Sequence, residues 1–329
     1  MRILVLQLKR LGDLILSTPA LRALRSAQPE ADIALAVAPG CAPLLGAMGD
    51  ADCGIVLGRG RGFAPWQQVL TGPWDWCLDF TGTDRSALAT AASRAGERLA
   101  FAGVQRSKMR ALAYTRFADS PVRERHTVDH YLDLVRAAFP DANGSLDPTL
   151  HLPADARAAA ETLLGETRIN GPFVIVHPGT ARLEKYWLPE RWAEVIARLP
   201  VPCVLTGGPD AFEREHIAKI QRALSKPIPD FSGQLDLLTL AALIERAALV
   251  LSCDTVAVHL AAAFRRPQIA LFGPTNPFHW RPRHNRAVVF SAAKPDASLR
   301  EFAPRMKGAP MDRISTDAVI CATEALLSA

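Results

Sequence analysis

The chain has no paired cysteines. Its six cysteines stand at 41, 53, 77, 203, 253 and 321, with no CxxC and no metal-like Cys/His spacing. That excludes a zinc finger or ribbon and a dithiol redox motif, and leaves them as reduced, small core residues. No long uncharged apolar run occurs either. The most apolar stretch, 237–264, is interrupted by Glu245, Arg246 and Asp254, so it falls short of the ~18 to 20 residues of a membrane span. About six apolar residues precede Lys9 and Arg10, too few for the ~7 to 15 of a secretory signal core, and a cytoplasmic location is expected. There is no Lys/Arg block and no aromatic–basic motif, so no nucleic-acid partner is expected. A net charge of +5 favours an anionic partner without choosing among them. With 49% hydrophobic and 22% charged residues, a long disordered tail is excluded as well.

What remains is a globular chain of 329 residues, long enough for two domains of the usual ~100 to 200 residues. Strand-length apolar runs recur at 3–8, 33–37, 54–57, 76–80 and 99–104, with helical patterns between them, clearest at 19–28 and 127–139. Strands apolar on both faces and alternating with helices predict a parallel sheet covered on both sides. The pattern breaks at PDANGSLDPTLHLP, 140–153, a cluster of turn and linker residues. A second series follows, with strands at 173–179, 202–208, 248–254 and 267–273 separated by helical segments. The expected architecture is α/β, with two Rossmann-like, doubly wound parallel-sheet domains, 1–150 and 151–329, facing a central cleft at the carboxyl ends of their strands. A last helix at 315–327, with Ser315 or Thr316 as N-cap, is open to packing back on the N-terminal domain.

Four strand-end loops carry the polar chemistry. The first, QLKRLGDLILSTP, takes Asp13 from a strand end to a helix N-terminus. It lacks GxGxxG, which argues against a nicotinamide site, and its aspartate alone reads first as a helix cap. The second, HPGTARLEKYWLPERW at 177–192, joins a Gly-Thr turn to Lys185. Such a turn offers a phosphate backbone N–H groups, a hydroxyl and a positive charge; the plain alternative is a solvated lysine beside packed Tyr186 and Trp187. The third, LTGGPDAFERE at 205–215, is a glycine-rich turn followed by Glu213, suited to ribose hydroxyls or simply a helix-surface charge. In the fourth, 249–284, Asp254 and Thr255 open a helix whose unpaired N–H groups suit a diphosphate. His259 there is either a site residue or a satisfied core histidine. No cluster has metal-ligand spacing, so the site is expected to be metal-independent and to use no cofactor.

Taken together, RLGDLILSTPALRALR, VHPGTARLEKYW, LTGGPDAFERE and LSCDTVAVHLAAAFRRPQIALFGPTNP span nearly the whole chain in order. They resemble glycosyltransferase family 9, the ADP-heptose:lipopolysaccharide heptosyltransferases. The resemblance implies a GT-B fold, with an N-terminal acceptor domain and a C-terminal nucleotide-sugar domain. It implies inverting transfer of a sugar, heptose from ADP-heptose, to a lipopolysaccharide core or other anionic glycan. In that reading Asp13 is the general base that deprotonates the acceptor hydroxyl, and Thr180 and Lys185 contact the diphosphate. Glu213 then contacts the nucleoside, while Asp254, Thr255 and His259 form the donor-binding strand-end motif. The chemistry agrees, since an oxocarbenium-like centre needs a base on one side and positive potential on the leaving side.

Two departures from the family pattern stand out. Val256 occupies a position where many relatives carry glycine, and Lys9 and Arg10 stand where small polar residues are frequent. The basic pair either grips an anionic acceptor or faces water. A nucleotide-sugar epimerase of similar two-domain fold and a non-catalytic nucleotide-sugar-binding protein are the competing readings. A lipid-glycan acceptor would place the chain in peripheral contact with the inner face of the cytoplasmic membrane, although no amphipathic anchor is evident.

Overall fold

The computed structural model describes residues 1–58, 62–167, 169–298 and 301–328, and the chain divides into two compact units, Met1–His151 and Leu152–Ala329. The first contains β1 (Arg2–Gln7), α1 (Leu11–Leu16), α2 (Thr18–Ala27), β2 (Asp32–Val37), β3 (Cys53–Val56), α3 (Ala64–Thr71), β4 (Trp76–Asp79), α4 (Asp84–Ser93), β5 (Glu97–Phe101), α5 (Lys108–Ala111), β6 (Arg116–Ala118) and α6 (Thr127–Ala138). Its six strands lie in the order β3-β2-β1-β4-β5-β6, all parallel. β1 is central because it can be buried on both faces: Ile3 to Leu6 are wholly inaccessible. The chain leaves β1 in one direction for β2 and β3 and returns to its other side at β4. The carboxyl ends of β1 and β4 therefore flank the point where strand order reverses, the usual ligand position in such sheets.

The second unit contains α7 (Ala154–Glu166), β7 (Val174–His177), α8 (Pro189–Ala197), β8 (Cys203–Leu205), α9 (Ala211–Ala223), α10 (Leu237–Arg246), β9 (Leu249–Cys253), α11 (Val256–Ala263), β10 (Gln268–Phe272), β11 (Ala287–Ser291), β12 (Lys294–Ser298) and α12 (Thr316–Ser328). The strand order is β12-β11-β10-β9-β7-β8, so the reversal falls between β7 and β9. This sheet departs from the all-parallel expectation at one edge, where β12 runs antiparallel to β11. Trp187 and Trp192, both wholly buried, meet edge-to-face at 5.1 Å inside the core beneath β7 and β9. Pro189 stands at the start of α8, where its missing N–H costs nothing. Ser315 caps α12 through Ala318 N–H at 3.3 Å. α12 packs on α8, β10 and β12 of the second unit.

Candidate functional site

In the first unit the chemistry gathers where β1 ends. Arg10, at the N-cap of α1, is extended and caps nothing with its side chain, while Asp13 is the third residue of the helix. Asp13 is therefore not the cap. Its Oδ1 accepts from the hydroxyl of Tyr131 on α6 at 2.8 Å, its one side-chain hydrogen bond among the described residues, and Oδ2 is left open. Tyr131 is wholly buried and stacked on Phe80, with ring centres 5.1 Å apart and planes within 11°. Burial, and then the adjacent Asp13 carboxylate, push its phenol well above its ordinary value, so it stays a donor.

Lys9 Nζ lies 3.4 Å from that same phenol oxygen and 5.3 Å from the ring centre, while Arg10 is exposed. Cys41 donates its thiol to the Lys9 carbonyl at 3.5 Å. Burial, then the Asp13 charge, raise that thiol to about 11, which keeps it neutral and unreactive. Gln7, the last residue of β1, is wholly buried with its side-chain amide beside the Tyr131 hydroxyl. At the neighbouring strand end, Asp79 is inaccessible. It accepts from Tyr114 Oη at 2.6 Å and from the Thr81 and Gly82 N–H groups at 2.7 and 3.1 Å. Burial raises its carboxyl, and its role is to build the turn that follows β4.

In the second unit the loops after β7 and β9 meet at the strand-order reversal. Lys185 Nζ donates to Asp254 Oδ2 at 2.5 Å, with side chains only 13% and 9% exposed. Thr255 is the extended N-cap of α11 and makes no side-chain capping bond, so its hydroxyl does not satisfy the helix N–H groups. Val256 is the first helical residue, and His259, 6% exposed, lies within the buried helix. Thr180, also buried, follows β7 in the turn at Gly179.

Glu213 reaches back from α9 and accepts from Gly208 N–H at 2.7 Å. Burial raises its carboxyl, against the opposing pull of that N–H. It lies so close to Gly179 that a Cβ there would come within 2.2 Å of Oε2. Tyr186, whose hydroxyl burial and then the Glu213 charge push up to about 12, packs on His216 at 4.5 Å. His177 ends β7 with Nδ1 2.9 Å from Thr206 Oγ1, and burial lowers it to about 4, so it is neutral. A cavity of about 500 Å³ opens beside this loop, bounded by Leu183, Tyr186, Pro274 and Met311. Among the described residues, no group of three or more His, Cys, Asp or Glu side chains is placed to hold a metal ion.

The structure thus joins Lys185 to Asp254 and seats Glu213 against the Gly179–Thr180 turn. Tyr131 and Asp79 were missed by sequence reasoning, as was the contact of Glu213 with the Gly179 turn. Tyr131 lies 118 residues from its partner, and no local signal reports it.

A profile of glycosyltransferase family 9 (heptosyltransferase) matches residues 63–307. The chain belongs to glycosyltransferase family 9. Its similarity to the lipopolysaccharide heptosyltransferase 3 of Escherichia coli K12 runs at 24% identity over 330 aligned residues, 96% of this chain and 95% of that protein. The crystal structure of a family 9 glycosyltransferase from Veillonella parvula DSM 2008 superposes with a TM-score of 0.87 at 23% identity, covering 99% and 97% of the two chains. The E. coli ADP-heptose lps heptosyltransferase II superposes at 0.80 and 22% identity, over 100% and 99%. The chain is accordingly a glycosyltransferase with the two-domain α/β fold of the GT-B class.

Proposed function

We propose that this glycosyltransferase moves heptose from ADP-heptose to a lipopolysaccharide core, with inversion at the anomeric carbon and without a metal ion. The first unit binds the acceptor and the second the donor. The observation that carries the reading is Asp13: a half-buried carboxylate at a strand-order reversal, held through one oxygen and open at the other. Oδ2 takes the proton of the acceptor hydroxyl as that oxygen bonds to the anomeric carbon from the face opposite the diphosphate. The bond from the anomeric carbon to the diphosphate breaks, and ADP leaves with the electron pair.

Charge developing on the leaving oxygen is met by Lys185 and by the uncapped N–H groups of α11, with Asp254, Thr255 and His259 forming the rest of that donor motif. Thr180 contacts the diphosphate, and Glu213 the nucleoside. The cavity of about 500 Å³ bounded by Glu184 and Tyr186, the chain neighbours of Lys185, offers room for the sugar. Of the two cations in the β1 loop, Arg10 is the exposed one and faces an anionic acceptor. Relatives named for heptose transfer to lipopolysaccharide and for ADP-heptose support the choice of substrates. Because such an acceptor is a lipid, the chain works at the inner face of the cytoplasmic membrane. Among the described residues, no helix is long and apolar enough to cross it.

The test is Asp13→Ala, which should lower transfer by about a hundredfold or more while ADP still raises the melting temperature. Undiminished transfer removes Asp13 as the base. A melting panel of ADP-, UDP-, GDP- and dTDP-sugars checks the donor, and stronger protection by a non-ADP sugar overturns the heptose assignment. Transfer should also survive excess chelator.

A further inference from the structure

The Tyr131 hydroxyl sits between two groups of opposite charge. It donates to Asp13 Oδ1 at 2.8 Å and receives Lys9 Nζ at 3.4 Å. Lys9 and Asp13 make no ion pair with each other among the described residues, so the phenol is the link between them. We infer that Tyr131 is a positioning residue for the transfer, fixing the Asp13 carboxylate with Oδ2 turned to the acceptor, and that Lys9 acts through Tyr131 and not on the acceptor. The inference rests on Asp13 being the base.

Three features of the site support it. The ring cannot swing, because it is wholly buried and lies flat on Phe80, and a locked side chain passes its geometry to whatever it holds. The hydroxyl keeps its proton, since burial and Asp13 together disfavour the phenolate; it orients the base without competing for the acceptor's proton. Hydrogen bonds in a chain polarise one another, so an ammonium on the phenol oxygen makes its O–H a better donor to the carboxylate. Lys9 is held in place to do this, with its stem half-buried and its ammonium over the ring, whereas Arg10 next to it is exposed.

The experiment is steady-state transfer kinetics on Tyr131→Phe, Lys9→Met, the double variant and Asp13→Ala, with melting temperatures as a folding control. Phenylalanine preserves the stack on Phe80. Tyr131→Phe should melt close to wild type and lose roughly ten- to a hundredfold in kcat, the worth of one hydrogen bond to a charged group, with donor KM unchanged. Lys9→Met should lower kcat less, leave acceptor KM alone, and add nothing once Tyr131 is already phenylalanine. A wild-type kcat in Tyr131→Phe overturns the positioning role even if Asp13→Ala is inactive. A raised acceptor KM in Lys9→Met, equal in both backgrounds, overturns the assignment of Lys9. If Asp13→Ala itself keeps full transfer, the base assignment fails and this inference with it.

Discussion

Substituting Gly179 by alanine tests the geometry of the second unit at one atom. The added Cβ would stand 2.2 Å from Glu213 Oε2 and 2.8 Å from its Cδ, where ordinary contact begins at roughly 3.5 Å. Gly179 does not have the left-handed backbone that alanine would strain, and the clashing atoms are the end of a flexible side chain. The protein should therefore fold and melt almost normally. The cost falls on the carboxylate, which must retreat by about 1 Å and in doing so loses the Gly208 N–H, now 2.7 Å away. A hydrogen bond to a charged group is worth ~1.5 to 3 kcal/mol, and the lower end applies to a half-exposed pair. If Glu213 binds the nucleoside from this seat, ADP affinity should fall about tenfold. Calorimetric titration of ADP into wild type, Gly179→Ala, Glu213→Ala and the double variant is the assay. The alanine should cost affinity only while Glu213 is present. Unchanged ADP affinity in Gly179→Ala would refute the role of the Glu213 seat. An equal loss with and without Glu213 would show the methyl pressing on the ligand directly.

Breaking the Lys185–Asp254 pair from one side should be costly, because both partners are nearly buried. Asp254→Asn should lower stability by ~3 kcal/mol or more, and inorganic pyrophosphate should raise the variant's melting temperature more than the wild type's by replacing the lost anion; equal protection of both would count against Lys185 as the diphosphate cation. Stability should also fall in mild acid. His130, His177 and His216 are lowered by burial to about 4, so between the ordinary histidine value near ~6.5 and 4 the unfolded chain binds more protons than the folded one. Each contributes stability that is present above ~6.5 and is lost as pH falls, by up to about 1.4 kcal/mol per pH unit. Asp79 and Glu213, raised by burial, oppose this within their own range. Urea midpoints at several pH values should show the decline, and His177→Gln should flatten it. A decline of the same size in His177→Gln and wild type would show that His177 binds its proton as readily in the folded protein as in the unfolded one.

The interior strands were legible because burial on two faces demands a continuous apolar run. Ile3–Leu6, Val174–Val176 and Leu249–Leu251 all read this way and are all buried. Edge strands escape that demand. β6 has three residues, the first exposed, and β12 is the sequence KPDAS. The run at 99–104 ends as strand at Phe101 and continues as a tight 3-10 turn over Ala102–Arg106, a change that its small apolar residues do not signal. α1 was obscured by its six-residue length and by Gly12, which weakens any local helical preference.

The site divides along the same physical line. A loop following a buried strand and opening a helix can be read from its own residues, so Asp13, Lys185, Glu213 and Asp254 were reachable as candidates. What each side chain touches depends on strand order. Lys185 meets Asp254 across 69 positions because β7 and β9 are neighbours at the reversal of the sheet. Asp13 meets Tyr131 because α6 packs against α1. That packing distinguishes two residues that the composition of the loop does not. Lys9 and Arg10 are adjacent, alike in charge and indistinguishable as neighbours of Asp13. In the folded chain Lys9 lies at the Tyr131 ring, whose hydroxyl is bonded to Asp13, while Arg10 remains exposed. Two cations one residue apart thus have different surroundings, and it is on this tertiary contact that the roles proposed for them, orienting Asp13 and meeting an anionic acceptor, depend.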